Sequence, residues 1–186
     1  LYQHFKSNFQ SIRLDSTTRK FSFDSIGENI AIRNGVWPTA AYEEGHLTIA
    51  VNQDAFIRSF CGGDRIGINV FSPLNGQPWI NNTTGGSGMF NSLPSDCLPG
   101  RKWNFEYDYS NRADRNKAND MLMNSIPNGH YVIVRNITFQ WTDTAWLSNS
   151  WKQDAALNGN GQSMYNTLKA AGFHNIDSMY TNRSFI

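Results

Sequence analysis

A strand that meets a tight turn, found twice, constrains this chain more than any other feature. Arg65-Ile-Gly-Ile-Asn-Val-Phe71 leads at once into Ser72-Pro-Leu-Asn-Gly76, and Ile126-Pro-Asn-Gly129 launches His130-Tyr-Val-Ile-Val134. Asn-Gly following Pro marks a turn that needs positive φ, which Gly adopts without steric cost. Neither segment carries a catalytic motif. Both read as scaffold, so the chain reads as a binding or accessory domain before it reads as an enzyme.

Alternation elsewhere agrees. Lys20-Phe-Ser-Phe-Asp24 places Phe21 and Phe23 on one strand face, and Asn29-Ile-Ala-Ile-Arg33 does the same with Ile30 and Ile32. Asn34-Gly35 fits a hairpin turn, although Pro38 breaks the strand after it early. His46-Leu-Thr-Ile-Ala-Val51 is a third strand. Residues 1–60 therefore form a small antiparallel sheet, either a lead-in subdomain or part of one continuous sandwich with residues 61–186. Within 102–109, Trp103, Phe105, Tyr107 and Tyr109 share one face, and Lys102, Asn104, Glu106 and Asp108 the other.

Two helices are expected. The first starts from Ser110 or Asn111 as N-cap and ends at Ser125, because Pro127 restricts the residue before it. Ala113, Lys117, Met121 and Leu122 lie near one of its faces, extended by Ala118 and Ile126. The second covers 163–171 and stops at Gly172. Residues 77–100 and 141–162 read as long irregular stretches, a length that is often functional or mobile. A last strand begins near Tyr180. The fold class is α+β, mostly β, with curved antiparallel sheets in a sandwich-like globule and two flanking helices. A chain of 186 residues can bury a real core.

The 16 Lys and Arg are scattered and the net charge is +1, which leaves no basic stripe for nucleic acid. No apolar run approaches the ~20 residues that span a bilayer. Cys61 and Cys97 both sit beside turn residues. They could close one disulfide or remain as two free thiols. Sequons at Asn81, Asn82, Asn136 and Asn182 are expected by chance in an Asn-rich chain. The ends, Leu1 and Ile186, suggest a processed fragment of a longer, exported protein.

The order of pieces resembles a known family. Gly67-Ile-Asn-Val70, the Pro-Leu-Asn-Gly76 turn, the segment from Phe105 to Asp108, an Asn-Asp helix, Ser125-Ile-Pro-Asn-Gly-His-Tyr-Val-Ile-Val134 and Leu168-Lys-Ala-Ala-Gly172 follow in that family's order. Residues 60–186 are thus similar to the interleukin-like EMT-inducer domain and to the stem domain of the protein O-mannose N-acetylglucosaminyltransferase. The resemblance implies a β-rich, non-catalytic globule within a large exported bacterial protein. Some members resemble signalling proteins and others carbohydrate-binding modules. Where the family carries an Arg-Asp pair before its last strand, this chain has Thr181-Asn182, with Arg183 next.

Chemistry is sparse. His4, His46, His130 and His174 show no metal-ligand spacing. Gly85-Gly-Ser-Gly88 lacks the Lys and helix of a phosphate loop. No metal or cofactor is expected. Glu106 and Asp108, two apart on one strand face and so ~7 Å from each other, could act on a glycoside. The alternative is a solvated face beside Lys102. Trp79, Trp141, Trp146 and Trp151 fall among polar residues. There a ring can stack on a sugar, or else pin a long insertion onto the body. Asp108, Asn182 and Arg183 join them as candidate ligand contacts. The expectation is a monomeric, non-enzymatic recognition domain of an extracellular or envelope protein, with a glycan as ligand. A protein-interaction or structural module is the alternative, and a glycoside-active enzyme the third reading.

Overall fold

The computed structural model describes residues 12–15, 17–18, 20–23, 28–32, 48–51, 54–57, 60–97, 100–137 and 145–178. The alternating segments pair into two antiparallel sheets. The first holds β1 (Ile12–Asp15), β2 (Lys20–Phe23), β3 (Glu28–Ile32), β4 (Ile49–Val51) and β5 (Asp54–Ile57) in chain order. Phe21 lies opposite Ile30, and Ile30 opposite Val51, so the period-two pattern sets the register. The second sheet has β6 (Arg65–Phe71) at its centre, flanked by β7 (Phe105–Asp108) and β8 (Tyr131–Ile137).

Being central, β6 is buried along nearly its whole length. Its two faces serve two cores. Ile66, Ile68 and Val70 join Phe105, Tyr107, Met121, Trp151, Met164 and Leu168 in a cluster beneath the helices. Phe71 joins Ile30, Ile32, Ile49, Val51 and Ile57 in a second cluster, with Tyr131 and Ile133 packed against it. The molecule is therefore layered as sheet, sheet and helices. The second cluster draws on both 1–60 and 61–186.

The helical layer contains α1 (Arg112–Asp120), α2 (Ala145–Leu157) and α3 (Met164–Ala170). Asn111 caps α1 by accepting the Ala113 N–H at 2.8 Å, and a π-helical turn, Met121–Ser125, carries the chain on to Pro127. Ser163 caps α3 by accepting the Asn166 N–H at 3.2 Å, and Gly172 ends it at φ +105°. The expected face holds in part: Ala118 and Met121 are buried and Leu122 and Ile126 pack against the core, but Ala113 and Lys117 are exposed and the polar Arg115 and Asn119 are buried.

Both stretches expected to be irregular carry structure. Within 141–162 lies α2, which brings the described helices to three rather than two. Residues 77–97 form a compact excursion with backbone bridges Phe71–Pro78, Thr84–Ser87 and Leu93–Glu106. It is organised around buried Asn81, whose amide donates to Ser92 Oγ, Ser95 Oγ and the Asn104 carbonyl and accepts the Met89 N–H. Asn34-Gly35 and the strand near Tyr180 lie outside the described residues.

Candidate functional site

The polar side of α1 builds the candidate site. Asn116, Asp120 and Asn124 recur at i, i+4 and i+8, which stacks them on one helical face beside Asn119. Opposite them the chain leaves α2 through Asn158-Gly-Asn-Gly-Gln162, with Gly159 at φ +74° and Gly161 at φ +72°. These glycines let the turn fold back on itself without a Cβ penalty. Between the two walls runs an open cleft of about 330 Å³, lined by Asn116, Asn119, Asp120, Asn124, Asn158, Asn160 and Gln162. Every lining residue is an amide or a carboxylate.

The lining is held in place by its own hydrogen bonds. Asn116 and Asn158 exchange Nδ2–H···Oδ1 bonds, both at 2.9 Å, across the cleft. Asn158 Nδ2 also donates to the Gln162 carbonyl at 3.0 Å. Asn124 Nδ2 donates to Asp120 Oδ1 at 2.7 Å, Thr167 Oγ1 to Asn119 Oδ1 at 2.6 Å, and the Gln162 N–H to Asn160 Oδ1 at 3.0 Å. Among the described residues this leaves Asp120 Oδ2, Asn124 Oδ1 and Gln162 Oε1 as acceptors, and Asn119 Nδ2, Asn160 Nδ2 and Gln162 Nε2 as donors. Mixed acceptors and donors on one wall match neighbouring hydroxyls, which both give and accept hydrogen bonds.

The residues singled out in the sequence are scattered. Trp151 is fully buried, donates its indole N–H to the Tyr109 carbonyl at 2.9 Å and meets the Tyr109 ring edge-on. It is a core residue and not a sugar platform. Trp79 is half-buried, stacked on Phe90 with ring centroids 6.0 Å apart, and meets His130 edge-on at 5.1 Å. Asp108 pairs with Arg65 at 3.7 Å and accepts from the Ser110 N–H and hydroxyl, so it organises the turn into α1. Trp146 belongs to α2 by its backbone, and Trp141, Asn182 and Arg183 lie outside the described residues.

Glu106 corrects the expectation of a solvated strand face. It is fully buried, and both carboxylate oxygens accept the Cys61 N–H, at 3.1 and 3.0 Å. Burial pushes its carboxyl up to about 7, against the pull of that N–H and of Arg65, Arg101 and Arg135. A carboxyl sealed in this way does not face solvent, unlike the strand face expected for an acid pair acting on a glycoside. Cys61 and Cys97 are joined in a disulfide, with Cα atoms 5.9 Å apart. Among the described residues no group of three His, Cys, Asp or Glu could hold a metal ion, and no helix is long and apolar enough to cross a membrane.

No family model, curated protein or solved structure matches this chain.

Proposed function

We propose that this protein is a non-catalytic recognition module of a larger extracellular or envelope protein, and that it binds a glycan in the amide-lined cleft. One observation carries the reading: a cleft of about 330 Å³ whose lining is all amide and carboxylate. Ligand pockets are usually mostly apolar with a few polar groups. A lining of amide and carboxylate side chains instead favours a small, hydroxyl-rich ligand such as one sugar residue of a chain. The Cys61–Cys97 disulfide suits an oxidising compartment. The resemblance of residues 60–186 to interleukin-like EMT-inducer domains points to the same class.

The test is a glycan array followed by calorimetry on the best ligand. Asp120→Ala and Asn160→Ala should each weaken binding roughly tenfold, the loss expected for one or two hydrogen bonds. An array without signal, or variants that bind like the parent, would refute the reading.

A second reading, a protein-interaction surface, rests on a different observation. Ile80 and Met89, 45% and 40% exposed, are the chain neighbours of Trp79 and Phe90, whose rings stack. Trp79→Ala separates the two readings, because it should leave glycan affinity unchanged and weaken only a protein contact.

A further inference from the structure

We propose that the Cys61–Cys97 disulfide is a reversible thiol-exchange site, at which a small external thiol is captured on Cys61 while Cys97 leaves as the thiolate. Two observations carry this. The bond is reachable, since Cys97 is exposed and Cys61 only half-buried. Arg101 Nη1 lies 3.2 Å from Cys97 Sγ, close enough to stabilise negative charge on that sulfur.

Thiol–disulfide exchange spreads one negative charge over three sulfurs and is faster when the departing sulfur is the better thiolate. The Arg101 guanidinium beside Cys97 therefore gives the bond a direction. The incoming thiolate attacks Cys61 Sγ, the Cys61–Cys97 bond breaks, and its electron pair leaves on Cys97 Sγ beside Arg101. The product is a mixed disulfide on Cys61. A second thiol, as its thiolate, can attack the outer sulfur, forming the external disulfide and releasing Cys61 as a thiolate. Attack by Cys97 instead restores the original bond and expels the small thiol.

Exchange need not dismantle the excursion that carries Cys97. Residues 77–97 stay attached through the Asn81 hydrogen bonds and the Leu93 N–H to Glu106 carbonyl bond at 2.7 Å. Opening the bond is thus a modification and not an unfolding.

The folded protein is treated with glutathione for short times, quenched with acid, alkylated and mapped by mass spectrometry. Glutathione is expected on Cys61 and the alkyl group on Cys97. Arg101→Gln should slow the reaction roughly fivefold, the effect of one unit charge ~4 Å away in water, and Arg101→Lys should restore much of the rate. High salt should slow the parent and leave Arg101→Gln unchanged. Glutathione found first on Cys97, or equal rates for the parent and Arg101→Gln, would overturn the proposal. Far-UV circular dichroism of the modified protein should match the parent; a collapse of the signal would also overturn it.

Discussion

At the residue scale, the helical layer hangs on one buried ion pair. Arg115 meets Asp154 through Nε at 2.6 Å and Nη2 at 2.8 Å, and its Nη1 donates to the Tyr109 and Ser110 carbonyls. Both side chains are almost fully buried. Removing the carboxylate strands the guanidinium, so Asp154→Ala should cost about 3–5 kcal/mol in urea unfolding. Replacing both partners with apolar residues should recover much of that loss. Gly67 is as constrained: a Cβ there would run into the Phe60 ring. Gly67→Ala should therefore lower stability by about 1–3 kcal/mol. Glu106 fixes a pH dependence. Its carboxyl titrates near 7 when folded and near its ordinary 4.5 when unfolded, so between those values the folded state holds more protons. Stability therefore falls as pH rises from about 4.5 to 7, and Glu106→Gln should flatten unfolding curves across that window. Asp177 has the opposite sign, because Lys152, Tyr165 and Lys169 hold it below the usual carboxylate range. Its side chain is 42% exposed, so solvent screens its contribution.

At the element scale, what the sequence made legible divides by mechanism. The helix α1 announces itself by Asn111 ahead of it and Pro127 beyond it, and α3 by Ser163 and Gly172, all local signals. The helix α2 has none as clear. Among its described positions, Trp151 and Asp154 are buried and stand three apart, one apolar and one acidic, so an acid interrupts the apolar face. Only the guanidinium on α1 makes an inward Asp154 tolerable. Glu106 misleads for the same reason: alternation places it opposite the aromatic face, but that side is covered by Phe60 and the buried Arg135 rather than by water. The turn that feeds β8 behaves as its sequence implies. Gly129 sits at φ +92° with open space around it, so Gly129→Val should cost about 1–2 kcal/mol from backbone strain alone, read as a lower melting temperature.

At the scale of the whole molecule, the disulfide is the one covalent link between the start of the second sheet and the excursion before β7. It closes a ring across a sequence separation of 36. The paired Cys61→Ser and Cys97→Ser variant should lose about 3–4 kcal/mol by the chain-entropy estimate yet still unfold cooperatively, since two core clusters remain. The local code alone determined the antiparallel strands, the tight turns, the caps of α1 and α3 and the α+β class, because period, turn chemistry and capping act within a few residues. The cleft was half visible, as Asn116, Asp120 and Asn124 at helical spacing, but their partners lie some forty residues on, at Asn158 and Gln162. The tertiary structure alone decided where burial departs from the local pattern. Burial of Glu106, Asp154 and Trp151 depends on what distant segments lay over them, and no local pattern carries that information.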